Sequence, residues 1–397
     1  MIKIKQVFDN ARLGDVSKIT KEQLNKKEIS DLEFLNKRVA VAVGSRGINN
    51  LHIIVKEVIS FLKEKGAQPF IVPAMGSHGN STSEGQKEIL NSYGINELSM
   101  GVPVISNMDT VEIGKTKSGI KVYIDKYAVE ADMIIPINRV KSHTDFKGEI
   151  ESGLCKILAV GLGKQKGCTL LHEYGSANFS RIIPEVASFI ISKLNVVFGV
   201  AIVEDSYDNT SIISAIYSKN IIEEEKKLLR KSKLMMPKIM IPEIDILIVE
   251  KFGKNISGAG MDPNITGRTS VENGSGFMGP NIRRIVVLDL TDESHGNACG
   301  ISCADFITRQ FFNKIDFDAT YKNSIACYNP RSAQVPVIAD NEEEAIKMAV
   351  KSCRFVTAGT ARIVRIKDTL SLGEIFISKN LIDTVKENNK IKILNFE

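Results

Sequence analysis

Apolar residues along this chain come in short unbroken runs that stop at glycine-rich loops. Arg38 opens such a run, Val39-Ala40-Val41-Ala42-Val43, which ends in Gly44-Ser45-Arg46-Gly47. A run this continuous predicts a strand covered on both faces. Leu51 to Leu62 then shows helical spacing and stops at Gly66. Pro69 to Pro73 predicts a second strand and Gly76 to Asn80 a loop, and Ser81 with Glu84 predicts a capping box opening a helix that stops at Gly94. A third unit follows, with a strand over Ala131 to Ile137, a loop over Asn138 to Gly148 and a helix from about Glu151. Strands alternating with helices predict a parallel α/β sheet.

The segment Ile221 to Lys238, rich in Glu and Lys, predicts an exposed helix followed by a break at Met235-Met236-Pro237-Lys238. A fresh α/β start comes after it: a strand at Ile244 to Val249, a loop at Gly253 to Gly260, a strand at Ile285 to Leu290, a loop at Asp292 to Gly300 and a helix from about Ile301. The fold class expected is α/β, two α/β domains with mostly parallel sheets, residues 1–238 and 239–397. Ligands in such sheets collect at the carboxyl ends of strands. The active site is therefore expected in the interdomain cleft, with the N-terminal domain carrying the chemistry and the C-terminal domain closing over it.

Composition narrows the function classes. Fifty-two Lys and Arg against 47 Asp and Glu leave a net charge of +5 without a concentrated basic tract, Trp is absent and aromatics make up 6%. That argues against nucleic-acid binding. The N-terminal residues lack an apolar leader core, and the most apolar stretch, Val186 to Val203, is interrupted by Ser192, Lys193 and Asn195. The expectation is a cytoplasmic protein with no membrane partner. The six cysteines contain no CxxC pair and are expected to be reduced, unclustered thiols.

Five histidines are present, and His78, His143, His172 and His295 are expected in loops, with only His52 in an ordinary helical pattern. Histidine exchanges protons or binds metal near neutral pH. Lys156 stands in an apolar helical stretch, where an ammonium is costly unless paired or chemically used. Gly161-Leu162-Gly163-Lys164 fails as a phosphate-binding loop, because Leu158 stands where the first glycine belongs and Gln165 where Ser or Thr would bind magnesium. Gly258-Ala259-Gly260 lacks the third glycine of a dinucleotide fingerprint. Ser-His-Gly-Asn occurs at Ser77 and again at Ser294, a coincidence that chance supplies in a chain of this length.

Taken in order, these residues resemble the nickel-dependent lactate racemases and their 2-hydroxy-acid racemase and epimerase homologues. Arg46 matches the family's Arg after an early strand and His78 its His in a Gly-Thr/Ser-His loop. His143 precedes Ser152-Gly153-Leu154-Cys155-Lys156, which matches the family's Ser-Gly-x-x-Lys, and His172 follows Lys156 by the family's sixteen residues. Val43 stands where the family has Asp, and Asp262 to Arg268 only loosely echo its C-terminal motif.

The resemblance implies an isomerase carrying a nickel-pincer nucleotide, made by accessory cofactor-synthesis enzymes and covalently attached through Lys156. Ser152 and Gly153 would line the cofactor, and His172 would ligate nickel. It implies inversion at C2 of a 2-hydroxy acid by proton-coupled hydride transfer, with His78 and His143 as opposed bases and Arg46 and Arg268 holding the substrate. The loose match at Asp262 to Arg268 suggests a substrate with more hydroxyls or a second anionic group than lactate has. Two other readings stay open: a hydrolase or lyase using the histidines around a plain divalent metal, or a noncatalytic ligand-binding protein. Oligomeric state and the role of His295 are left undetermined.

Overall fold

A computed structural model describes residues 1–45, 47–271 and 274–396. Its residues cluster into two units. One comprises Asn10–His143 and Gly148–Met236, and the other Met1–Asp9, Thr144–Lys147 and Pro237–Glu397. The second stretch of the larger unit ends at Met236, and the C-terminal stretch of the other begins at Pro237. The first nine residues, however, group with the C-terminal unit, because the strand β1 (Ile2–Gln6) lies between two C-terminal strands.

The larger unit is built on β2 (Arg38–Val43), β3 (Gln68–Pro73), β6 (Met133–Arg139), β7 (Phe198–Glu204) and β8 (Thr210–Tyr217), with a separate hairpin of β4 (Thr110–Lys115) and β5 (Lys121–Asp125). The strand order is β3-β2-β6-β7-β8, parallel except for the last pair. Val39 to Val43 and all of β7 are buried, as continuous apolar runs covered on both faces should be. The helix α1 (Leu51–Glu64) packs Leu51, Ile54, Val55, Val58 and Leu62 into one core with Val39, Val41, Val43, Ile135 and Ile137. Burial of each such aliphatic side chain contributes about 1.5–3 kcal/mol.

The helix after β3 differs in its cap. Thr82, not Ser81, accepts the Gly85 N–H and opens α2 (Ser83–Ser92), because Gly79 to Ser81 form a separate 3-10 turn. The helix expected from Glu151 begins at Leu154. It runs one turn to Lys156, widens into a π-helical turn over Ile157–Gly161 and continues as α3 (Lys164–Glu173), followed by α4 (Phe179–Lys193). The charged helix α5 (Ile221–Met235) closes the unit.

The second unit holds β9 (Glu243–Phe252), β10 (Asn281–Leu290), β11 (Phe306–Thr308), β12 (Val337–Ala339), β13 (Ile363–Ile366), β14 (Glu374–Ile377) and β15 (Ile391–Phe396). With β1 they form one sheet in the order β12-β11-β10-β9-β13-β14-β1-β15. Its first five strands are parallel and the last three antiparallel. No helix starts at Ile301. That segment makes a single 3-10 turn to Cys303 and goes directly into β11, because Ile301-Ser302-Cys303 is too short to build a helical face before the next strand. The two Ser-His-Gly-Asn segments differ in conformation: His78 is extended at φ −63°, whereas His295 is left-handed at φ 46°. Among the described residues, no helix is long and apolar enough to cross a membrane.

Candidate functional site

In the larger unit the chain leaves β2 toward β3 on one side, while β6 lies on the other side of β2. The order reverses there, and the loops at the carboxyl ends of β2 and β6 flank the position where α/β sheets bind ligands. Every described residue singled out by sequence for proton transfer, cofactor attachment or metal binding belongs to this unit: His78, His143, Lys156 and His172. Arg46 lies outside the described residues.

The His78 loop is held from below. Gly76, Gly79, Asn80 and Ser81 all adopt left-handed backbone, and a Cβ on Gly79 would lie 2.5 Å from the Gly85 carbonyl carbon, so glycine is required there. Gln86 is fully buried, and its Nε2 donates to Gly76 O at 2.8 Å and to His78 O at 3.3 Å. His78 Nδ1 and Ser45 Oγ are hydrogen-bonded at 2.6 Å, joining the loops after β2 and β3. Together with Ser77, Asn80, Ile89 and Tyr93 they line an open surface depression of about 420 Å³.

Under this loop sits a group that the sequence reading passed over. Lys164 is fully buried; its Nζ donates to Pro73 O at 2.5 Å and to Gln86 Oε1 at 3.0 Å, and pairs with the equally buried Asp125 at 3.2 Å. Burial lowers the pKa of the ammonium and Asp125 opposes that shift. The failed phosphate-loop motif thus ends in a lysine engaged by Pro73, Gln86 and Asp125. Its signal in the sequence was weak, because a lysine after two glycines reads as exposed.

His143 and Lys156 are brought together: His143 Nε2 and Lys156 Nζ are hydrogen-bonded across thirteen residues of sequence. Both side chains are half-buried. The loop between them is closed by reciprocal backbone bonds between Lys141 and Ser152, at 2.9 and 3.1 Å. Inside it the buried carboxylate of Glu151 accepts the His143 N–H at 2.6 Å and the Gly148 N–H at 3.2 Å, and meets Lys233 at 2.6 Å. Ser152 therefore acts through its backbone, and Gly153 donates no side chain; its carbonyl accepts Asn138 Nδ2 at 2.9 Å. The same Asn138 explains Gly44, where a Cβ would lie 2.4 Å from Asn138 Oδ1.

His172 is on α3 rather than in a loop, one turn beyond Cys168, and its ring stands edge to face with Phe179 at 5.0 Å. Cys168 lies 3.8 Å from Ser77 Oγ, so this face of the helix is adjacent to the His78 loop.

Arg268 belongs to the other unit, and its guanidinium is engaged by Asp305 and by the carbonyls of Cys303, Ile282 and Arg283. Asp262 caps the turn Pro263–Thr266, and Asn264 accepts Lys147. The polar groups of this segment are thus turned on their own neighbours. All six cysteines are unbridged, and five of them are buried.

A family described as a domain of unknown function (DUF362) matches residues 44–222, the stretch that contains His78, His143, Lys156 and His172. No curated protein matches the chain. Among solved structures, the lactate racemase apoprotein from Thermoanaerobacterium thermosaccharolyticum is similar over 94% of this chain and 99% of that one, with a TM-score of 0.57 and 15% identity. The chain shares the mixed α/β fold of that apoprotein, with mostly parallel sheets.

Proposed function

We propose that this protein is an isomerase, a racemase or epimerase that inverts C2 of a small 2-hydroxy acid with a nickel-pincer nucleotide attached through Lys156. The observation that carries the reading is the His143–Lys156 contact, which sets an amine against an imidazole at the carboxyl ends of the sheet where its strand order reverses. The fold shared with a lactate racemase apoprotein supports it.

The residues present fit such a group. Lys156 is half-buried and next to a nitrogen able to take the ammonium proton, as amide formation requires. Among the described residues no three His, Cys, Asp or Glu side chains gather as a metal-holding group. A group that brings its own metal donors needs only one imidazole, the role given to His172.

When bound, the nucleotide supplies a hydride acceptor, which avoids forming a carbanion beside an ionised carboxylate. The chain's own part is proton transfer and orientation. With His78 Nδ1–H donating to Ser45 Oγ, Nε2 carries the lone pair that takes the substrate hydroxyl proton. His143 would be the base that serves the other enantiomer. Arg46 would hold the carboxylate through two parallel hydrogen bonds. No substrate contact is assigned to Arg268, and the segment around it gives no support for extra hydroxyls.

The test is intact-protein mass spectrometry with nickel analysis after co-expression with the accessory cofactor-synthesis enzymes. The wild type should gain covalent mass and nickel, Lys156→Ala should gain neither, and His172→Ala should keep the mass and lose nickel. A wild type of unmodified mass would refute the proposal. Loaded enzyme incubated with single enantiomers of lactate, malate or gluconate should invert C2 of at least one.

A further inference from the structure

The helix α5 reads in the sequence as a charged, exposed segment before a break. Its buried positions are Ile221, Glu225, Leu228, Leu229 and Ser232, a stripe at helical spacing in which a carboxylic acid stands among aliphatic residues. Glu225 is fully buried. Its Oε2 accepts the Cys155 N–H at 2.8 Å, and its Oε1 has no hydrogen-bond partner among the described residues. Burial raises its pKa to about 7, against backbone hydrogen bonds from Cys155 and Leu154 that lower it. A leucine at this place would avoid that cost.

What the carboxylate does there is local and specific. The first N–H groups of a helix have no partners within it, and the turn Leu154–Lys156 is preceded by Gly153, which offers no capping side chain. Glu225 supplies the acceptor from another helix. A side chain at 153 would displace this carboxylate, since a Cβ there would lie 2.4 Å from Glu225 Oε1. Two turns along the same helix, Lys233 Nζ meets Glu151 at 2.6 Å, and Glu151 accepts the His143 N–H. One helix therefore reaches both members of the His143–Lys156 pair.

We propose that α5 is the positioning element of this pair, with Glu225 holding the turn that ends in Lys156 and Lys233, through Glu151, holding the backbone of His143. The inference rests on reading Lys156 as the functional amine, but its first test needs no cofactor. Full-length protein without cofactor is acylated with sulfo-N-hydroxysuccinimidyl acetate and mapped by peptide mass spectrometry. Exposed Lys347 serves as the internal rate standard and buried Lys164 as the measure of an intact fold.

In Glu225→Ala the labelling of Lys156 relative to Lys347 should rise about fivefold, the factor a lost helix cap carries, while Lys164 stays protected. Glu225→Gln keeps a carbonyl for the Cys155 N–H and should stay close to wild type. If the alanine variant does not fold, Glu225→Asp, which withdraws the acceptor by one methylene, should show the same rise. Unchanged Lys156 labelling, or Lys156 and Lys164 rising together, would overturn the Glu225 role. Lys233→Met should move the imidazole NMR signal of His143 and leave those of His52 and His295 in place; an unmoved His143 signal would overturn the Lys233 role. A wild type that takes no covalent mass on co-expression refutes the proposed function and leaves the labelling outcome standing, so the two failures are distinguishable.

Discussion

Lys164 and Asp125 form an ion pair with no solvent contact, and two charges in such a place are stable only while both are present. Asp125 has further duties, accepting from Asn107 Nδ2 at 2.9 Å and from the N–H groups of Tyr127 and Ala128. Lys164→Met should therefore cost about 3–5 kcal/mol, the penalty for leaving a buried charge uncompensated, and Lys164→Met with Asp125→Asn should cost less than the single change. Urea unfolding decides it; a double variant weaker than the single one would show that the pair is not coupled. Glu225 gives a pH-dependent counterpart. Its folded pKa of about 7 lies above the ordinary glutamate value of 4.5, so its stabilising contribution is full below 4.5 and is lost as pH rises through 7. Glu225→Gln has no such loss. Relative to wild type it should gain on the order of 3 kcal/mol between pH 4.5 and pH 8, at 1.36 kcal/mol per pKa unit. Equal pH dependence of the two unfolding curves would contradict this.

At the scale of elements, the π-helical turn Ile157–Gly161 links the Lys156 turn to the His78 loop. Gly161 O accepts the Gly76 N–H at 3.1 Å, and a Cβ on Gly161 would lie 2.5 Å from Ala74 O, a backbone atom that cannot swing aside. Gly161→Ala should destabilise by about 1–3 kcal/mol and, under the proposed function, lower covalent cofactor loading on Lys156, measured by thermal unfolding and by mass gain on co-expression; a variant with unchanged Tm would show that the strand end yields. Elements of this kind mark the limit of what the sequence made legible. The strands Arg38–Val43 and Pro69–Pro73 were readable because continuous apolar runs have one solution, a sheet buried on both faces. The widening at Ile157 was not, because a π turn has the same apolar composition as an α turn. The Thr82 cap was missed because Ser81 offers the same hydroxyl one residue earlier. His143 and Lys156 could be marked as a pair only through the family resemblance. Their anchors, Glu151, Glu225 and Lys233, were invisible, because Glu and Lys on a helix pattern read as solvated until the fold shows which are buried.

For the molecule as a whole, the placement of β1 sets a rule for where the chain can be divided. The larger unit's five-stranded sheet draws every strand from residues 38–217, and its core cluster lies within residues 16–215. A fragment spanning 10–236 should therefore fold cooperatively and keep the Ser45–His78 and His143–Lys156 contacts. The complementary fragment 237–397 is in a different position. In its sheet β1 lies between β14 and β15, paired with Ile375 and Ile377 on one side and with Ile391 and Ile393 on the other, so removing residues 1–9 leaves β15 without a partner and opens an apolar edge. Exposed edges of that kind favour aggregation. Fragment 237–397 alone should be poorly soluble, and a peptide of residues 1–9 added during refolding should restore a soluble, cooperatively unfolding species. Light scattering and circular dichroism follow both outcomes. Cooperative unfolding of 237–397 without the peptide would mean that β13 and β14 close the sheet by themselves, and that β1 contributes little to the fold of this unit.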